Sequence, residues 1–438
     1  MTKLTLDERK ELVRSIEKDV KTFGAVCFFH CDNDGRFANQ VVKNKFPSVR
    51  CYSTNHHRRV QYEVIPPRSV VFIVDFSFPL EDMKRLARDH RVIWCDHHDV
   101  IGSYVAEGFE CEGNCRIEPG TAGCSLVWEL LYPELDRPRS LDLVAKYDTW
   151  QIFDDPNVID FNLGLSMINL EPMRMNDDNW KMLFTSAEFC DRLILAGQHI
   201  KQFDITRSEL MAEQCAFLTD LDGIPAMAIN VKNTNSKVLD SAVANYHGEK
   251  PLGFRVLFSW FANINQYRIS VYSEDETQFD AAAYCRQYNG DGRASAAGCV
   301  SKELPFKLPE AKDDYVFEYR DYLEPVRRLS MQDALVRKYC QLNMKQSVGS
   351  LHAPKMYLGY KCSFINHPGM LIDAWYDAGL NFHYDLGVFH YLMGNGWYKL
   401  VIHPLNPDIS LTEIEKRSGG KISGETVVVY QKKNPLFQ

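Results

Sequence analysis

Several signatures are missing from this chain. No apolar run approaches the roughly 18 residues that a membrane-crossing helix needs. The opening stretch MTKLTLDERKELVRSIEKDV is charged and amphipathic, unlike a secretory leader. There is no Gly-x-Ser-x-Gly elbow and no Gly-x-x-x-x-Gly-Lys loop, so serine-hydrolase and nucleoside-triphosphatase readings fall away. Positive charge is in deficit: 58 Asp and Glu stand against 50 Lys and Arg, a formal net charge of -8. A protein that wraps a long duplex needs a basic surface, so a long duplex is not an expected partner; without a membrane-length apolar run, neither is a membrane. A local cation site can still serve a small anionic substrate. The 13 cysteines are odd in number and scattered, which reads as reduced thiols in a cytoplasmic setting rather than a disulfide framework.

What is present is a chain able to bury cores. Its 438 residues are 45% hydrophobic and 25% charged, and at roughly 150 residues per domain they suggest about three globular units. Residues 4–20 carry Leu12, Val13, Ile16 and Val20 on one helical face. Three short runs rich in Val, Ile and Phe follow: Ala25–Phe29, Val70–Val74 and Val92–Cys95. Helical stretches such as Leu80–Asp89 separate them, the pattern of a parallel α/β sheet. Further helices are expected at Ser125–Leu131, at Leu141–Lys146 and along 180–218, and residues 304–345 read as mostly helical, broken at Pro305, Pro309 and Pro325.

From Ile224 the pattern turns strand-like, with runs at Ala226–Val231, Gly253–Phe258 and Tyr267–Tyr272, then a glycine loop from Asn289 to Gly298. The last ninety or so residues repeat it. Ala226–Ile229 matches Met356–Gly359, Val238–Asp240 matches Leu371–Asp373, and Leu252–Val256 matches Tyr384–Val388. Tyr267–Ser270 matches Tyr398–Val401, and the glycine loop matches Gly419–Gly424. A duplicated α/β domain is expected; two unrelated small domains of similar strand order is the alternative. The second copy carries Glu425, which would repel phosphate, and aromatics (Trp375, Tyr376, Phe382, Phe389, Trp397) suited to packing. It is expected to pack or dimerise, making a homodimer possible, and not to form a second active site.

The chemistry lies where the three early runs end. His30, Asp32 and Asp34 follow the first, Asp75 the second, Asp96, His97 and His98 the third, and Asp148 lies in Tyr-Asp-Thr-Trp. Carboxyl ends of parallel strands share one edge, where ligands bind. Two carboxylates about 4 Å apart repel by roughly 4 kcal/mol at an effective dielectric near 20, so several need cations there. Mixed imidazole and carboxylate ligands suit Mn²⁺, Zn²⁺ or Fe²⁺ better than Ca²⁺.

These residues carry a resemblance. His-x-Asp-x-Asp-Gly at 30–35, Asp75, Asp-His-His at 96–98 and Asp148 resemble, in order and spacing, the four motifs of the DHH phosphoesterases. The stretch ending Ala296-Ala297-Gly298 resembles the substrate loop of the DHH-associated domain, and the nano-RNase and oligoribonuclease-like members are the nearest subgroup. The resemblance covers roughly residues 24–303. It implies an α/β fold with a parallel-sheet catalytic domain over 1–190, a helical linker over 191–223 and a substrate-binding domain over 224–303. A second linker over 304–349 and the diverged repeat over 350–438 complete the expected order.

The resemblance further implies a metal-dependent phosphodiesterase or 3′–5′ exonuclease with two divalent ions, manganese first among the candidates. His30 and Asp32 would hold one ion, Asp34, His97 and Asp148 the other, with Asp75 bridging. His98 would face the substrate phosphate and Asp96 would orient the triplet. Gly290, Gly292, Arg293 and Gly298 would contact a short single-stranded oligonucleotide or small nucleotide.

The loop departs from the family pattern. Arg293 stands where the family has a histidine, and Tyr272 where the subgroup has an arginine. That leaves the substrate open. A phosphatase of polyphosphate or of nucleotide bisphosphates, and a non-catalytic nucleotide binder on the same scaffold, remain alternatives. Lesser features have plain readings too. Asn55-His56-His57-Arg58-Arg59 reads first as a solvated basic loop and second as a phosphate contact. Cys111, Cys115 and Cys124 lack a clear fourth ligand for zinc. Thr121 is expected to cap a helix, whose amides could alternatively bind an anion.

Overall fold

The computed structural model describes residues 5–55, 58–168, 170, 178–231, 234–261, 264–311, 333–366 and 383–437. His56, His57, Pro325, Leu371–Asp373, Trp375, Tyr376 and Phe382 lie outside the described residues, as do residues 312–332 of the expected helical stretch. The chain divides into two compact units, Met1–His199 and Ile200–Gln438. Among the described residues no helix is long and apolar enough to cross a membrane.

In the first unit, β1 (Ala25–His30), β2 (Arg50–Thr54), β3 (Val70–Val74), β4 (Arg91–Cys95) and the short β5 (Glu112–Gly113) form one sheet in the order β2-β1-β3-β4-β5. Every pair is parallel. The apolar runs are continuous because both faces are covered. Ala25, Cys27, Phe29, Phe72 and Ile93 enter one core, while Val26, Phe28, Val71, Ile73 and Trp94 enter another on the opposite face. The first core is closed by α1 (Leu6–Phe23) through Val13, Ile16 and Val20, and by α2 (Asn33–Lys45), α5 (Gly123–Leu131) and α6 (Arg139–Asp148). The second is closed by α3 (Leu80–Asp89) through Met83 and Leu86, and by α4 (Val100–Ala106) through Ile101. Thr5 caps α1 in a reciprocal box with Glu8.

The second unit holds two six-stranded sheets. The first contains β6 (Phe217–Leu221), β7 (Ile224–Asn230), β8 (Phe254–Phe261), β9 (Gln266–Ser273), β10 (Asp291–Gly292) and β11 (Ala296–Ser301), ordered β6-β7-β8-β9-β11-β10. The second contains β12 (His352–Tyr357), β13 (Tyr360–Asn366), β14 (Leu386–Leu392), β15 (Tyr398–Pro404), β16 (Lys421–Ser423) and β17 (Thr426–Gln431), ordered β12-β13-β14-β15-β17-β16. The orders are the same, and so are the senses: β7/β8 and β13/β14 are parallel and all other pairs antiparallel. One core unites them, with Ala226, Val256 and Ile269 in the same cluster as Phe364, Val388 and Leu400.

Register fixes the correspondence between copies. Phe254 pairs with Ala226 as Leu386 pairs with Cys362, and Tyr267 lies on β9 where Tyr398 lies on β15. The first expected match needs correction. Met356–Gly359 corresponds to Asp220–Gly223, not to Ala226–Ile229, because Leu221 pairs with Ile224 as Tyr357 pairs with Tyr360. Both hairpins turn through left-handed residues, Asp222 and Gly223 at φ 54° and 87°, Leu358 and Gly359 at φ 54° and 84°.

The ends of β7 and β13 meet. The Asn230 amide donates to the Phe258 carbonyl at 3.0 Å, and the equivalent Asn366 amide donates to the His390 carbonyl at 3.0 Å. Asn366 also donates to Asn230 Oδ1 at 2.9 Å.

His390 itself is buried, its Nδ1 without a hydrogen bond among the described residues. Burial pushes its pKa down from the usual 6.5 to about 3. A histidine depressed in the folded state is neutral there while the unfolded chain takes up a proton. Its contribution is therefore complete above pH 6.5 and lost as pH falls toward 3, with a slope of up to about 1.4 kcal/mol per pH unit. In denaturant titrations between pH 7 and 4, a His390→Phe variant should lose stability less steeply than the parent protein. Identical slopes would show that His390 does not govern acid lability.

Candidate metal centre

The carboxyl edge of the parallel sheet collects the polar residues. His30 ends β1, and Asp32 caps α2 by accepting from the Gly35 amide at 2.9 Å. Gly35 is needed there: a Cβ would lie 2.2 Å from the His30 carbonyl oxygen. Asp34 sits in the first turn of α2, Asp75 just past β3, the Asp96–His98 triplet just past β4, and Asp148 is the last residue of α6.

Distances bring six of these side chains into one cluster. His30 Nδ1 lies 2.8 Å from Asp32 Oδ2 and 3.7 Å from Asp75 Oδ2. On the other side of Asp75, His97 Nε2 lies 3.3 Å from Asp75 Oδ1, 3.4 Å from Asp148 Oδ2 and 3.8 Å from Asp34 Oδ2. Three groups have candidate ligand atoms all within 4.8 Å of one another: His30, Asp32 and Asp75; Asp34, His97 and Asp148; and Asp75, His97 and His98.

Asp75 is shaped by its setting. Its backbone is left-handed, at φ 62°, a sparsely populated conformation for a residue with a Cβ. Both its oxygens are buried and accept no hydrogen bond among the described residues. Burial, then the charges of its neighbours, pushes the Asp75 carboxyl well above the usual range. Asp34 is likewise pushed up by burial, Asp75 and Asp148, although it accepts from the Gly123 and Cys124 amides at 2.6 and 2.8 Å. Burial raises Asp148 as well, and as the last residue of α6 it faces the negative end of the helix dipole. Burial works against a charged His30, yet the Asp32 and Asp75 carboxylates beside it raise its pKa to about 11.

Divalent cations fit this donor set. They would neutralise the crowded carboxylates and occupy the buried Asp75 oxygens and His97 Nε2, which also lacks a hydrogen bond among the described residues. Oxygen and imidazole donors together match Mn²⁺, Zn²⁺ or Fe²⁺.

Behind the cluster, Asp96 Oδ2 accepts from Ser77 Oγ at 2.5 Å, and Oδ1 accepts from the His97 amide at 2.8 Å. His98 Nδ1 lies 2.7 Å from Asp96 Oδ1. Burial opposes ionisation of Asp96, but the His98 and Ser77 hydrogen bonds hold its pKa below the usual range. An ionised Asp96 can only accept, so Nδ1 of His98 carries the proton.

No family model matches the chain, and no curated protein sequence matches it. Solved structures do match. The DHH domain of a member of the s1p family of ribosomal proteins is 12% identical over 67% of this chain and 87% of that one, with a TM-score of 0.45. An exonuclease RecJ bound to manganese is 13% identical over 68% and 91%, with a TM-score of 0.40. A pGpG-specific phosphodiesterase from Vibrio cholerae is 12% identical over 63% and 92%, with a TM-score of 0.37. The chain is similar to DHH-domain proteins. At these identities the likeness is one of fold, and the chemistry rests on the residues of the site.

The DHH resemblance singles out the titratable groups and overlooks what holds them. Gly123 is one such residue, since a Cβ there would lie 2.6 Å from Asp75 Cβ. The run of small residues opening α5 is the signal for it. Ser77, buried behind Asp96, is the polar residue in Phe76-Ser77-Phe78. The helix is capped at Ala122 rather than at Thr121, whose own amide donates back to Glu118 O. The anion at those amides is Asp34. Cys124 belongs to one core, while Cys111 and Cys115 lie with the other on the opposite face of the sheet, so the three do not form a zinc site.

The expected glycine loop is a β-hairpin in the second unit. A Cβ on Gly290 would lie 2.4 Å from the Gly298 carbonyl oxygen, and one on Gly292, at φ 150°, would lie 2.4 Å from Ala297 Cα. Hairpin packing thus accounts for both glycines, whereas Gly298 has ordinary clearance, 3.5 Å to the Ile269 carbonyl oxygen. Arg293 is exposed at the tip, where its backbone closes the turn with Ala296 at 2.9 Å.

Crowding at Asp75 gives a stability test. Asn keeps the shape and tolerates left-handed backbone while removing one charge. Without metal, Asp75→Asn should melt several degrees higher than the parent, at about 2–4 °C for each kcal/mol of repulsion relieved. The stabilisation that the parent gains from added Mn²⁺ should shrink in the variant. Calorimetry with and without Mn²⁺ decides it, and a lower metal-free melting point with an undiminished Mn²⁺ shift would contradict it.

Proposed function

We propose that the chain is a metal-dependent phosphodiesterase of the 3′–5′ exonuclease type, acting on short single-stranded oligonucleotides or related small nucleotides. The observation that carries this reading is Asp75: its two buried, unbonded oxygens face His30 and Asp32 on one side and His97, with Asp34 and Asp148, on the other. In this reading His30 and Asp32 hold one divalent ion, Asp34, His97 and Asp148 hold a second, and Asp75 serves both. Bound there, a pair of such ions supplies a water of lowered pKa and polarises a phosphoryl oxygen.

The rest falls to the chain. Asp96, fixed by Ser77, sets the tautomer of His98. When protonated, Nε2 of His98 donates toward the phosphate oxygen on which charge develops. Arg293, in the second unit, carries a planar fork able to grip a phosphate. The net charge of -8 favours short substrates over long duplexes.

The test is a panel of dinucleotides, longer oligomers, cyclic dinucleotides, duplex DNA and polyphosphate, each with Mn²⁺ and with chelator. Dinucleotides should be cleaved fastest and chelator should stop the reaction. Asp75→Ala should be inactive, and Asp96→Asn should lose roughly 10–100-fold, as removal of a group behind a metal ligand does. Faster release of phosphate from polyphosphate would favour the phosphatase alternative. Metal-free, inactive protein after preparation in Mn²⁺ would favour the binder.

A further inference from the structure

We propose that the cavity beside β2 in the first unit is a nucleotide subsite, taking a base together with its adjoining phosphate. This deepens the phosphodiesterase reading, on which it rests for what the bound nucleotide belongs to. The cavity measures about 670 Å³ and is lined by Cys31, Tyr52, Thr54, Asn55, Arg58 and Arg59, among others. That volume lies within the roughly 300–1,000 Å³ of small-molecule sites. Its position follows from register: Thr54 pairs with His30 across β1 and β2, and Cys31 lies between His30 and Asp32 in the chain. The cavity therefore opens within one residue of the first metal-capable group.

The walls differ in chemistry. Phe28 and Phe78, both buried, pack edge to face at 5.3 Å, and Tyr52 lies 5.6 Å from Phe28 with its ring half-exposed. That makes a rigid aromatic wall with one accessible ring, on which a base can stack. The Cys31 thiol donates to Asn55 Oδ1 at 3.0 Å, which leaves the Asn55 NH₂ group as a donor. The opposite wall is cationic. Arg59 is steadied by Asp82 at 3.1 Å, which also accepts from the Tyr62 hydroxyl at 3.0 Å. Arg58 is exposed and enters no ion pair among the described residues. Polyphosphate would use cations on every side and no aromatic ring; a nucleotide uses both walls.

Cys31 provides a readout independent of turnover, because among the free cysteines it and Cys111 are the part-exposed ones. In Mn²⁺-loaded full-length protein, saturating adenosine or guanosine 5′-monophosphate should slow iodoacetamide labelling of Cys31 about tenfold, the effect of 90% occupancy. Cys111 labelling should stay unchanged, and inorganic phosphate or tripolyphosphate at equal concentration should protect little. Arg58→Ala should raise KM for a dinucleotide about tenfold, the loss of one charge-assisted contact, and raise it more than it lowers kcat. Arg58→Lys should recover part of the loss. Unprotected Cys31 together with an unchanged KM overturns the subsite while leaving the phosphodiesterase reading in place. Equal protection by inorganic phosphate overturns the base half of it. If no phosphodiester is cleaved, the phosphodiesterase reading fails, and mononucleotide protection of Cys31 still decides the subsite.

Discussion

Mutual repulsion among Asp34, Asp75 and Asp148 is the constraint on which the first unit turns. Each carboxylate is brought in by a different element, and each element is fixed by burial rather than by the charge it delivers. Adjacent parallel strands, about 4.8 Å apart, deliver His30 and Asp75 to the same edge. The first turn of α2 delivers Asp34, which lies under the opening amides of α5, and α6 ends on Asp148. Several local features run against stability here. Asp75 has left-handed backbone, its oxygens are buried without donors, and Asp148 faces the wrong end of a helix dipole. Such conflicts persist only where a packed scaffold enforces them. The two cores on either face of the sheet provide that scaffold.

How much of this the amino-acid sequence discloses follows from where each element sits. Strands β1, β3 and β4 are covered on both faces, so their apolar runs are unbroken and easily read. β2 lies at the sheet edge and reads Arg-Cys-Tyr-Ser-Thr, with one fully buried residue, so its hydrophobic signal is too weak to mark it. β6 falls inside the helical linker expected over 191–223: it alternates buried and exposed positions over five residues directly after a long helix. The titratable residues of the cluster were legible because all lie at element ends. Gly123 and Ser77 were not, since their roles are a close approach and a hydrogen bond between segments far apart in sequence. The slipped match at Met356–Gly359 has a similar cause. The hairpin between β12 and β13 turns on Leu358-Gly359, where a leucine holds a conformation that asparagine or aspartate usually announces.

The duplicated sheets of the second unit agree in the core and differ at the tips. Strand order, sense and register are shared, and the fold-determining positions remain apolar in both copies. At the hairpin tips Arg293-Ala294-Ser295 in one copy stands against Ser423-Gly424-Glu425 in the other, with the flanking strands in the same register. A positive tip and a negative tip cannot both favour phosphate. The asparagines at the ends of β7 and β13 carry the same logic into the core. Asn230 and Asn366 make equivalent bonds within their own sheets, but the bond between them needs a donor on one and an acceptor on the other. Perfect symmetry is therefore broken even where the residues are identical. Joining both copies in one chain makes such asymmetry heritable: each position can be tuned in one copy without changing its counterpart. That freedom is what lets Arg293 stand at one tip and Glu425 at the equivalent tip of the other copy.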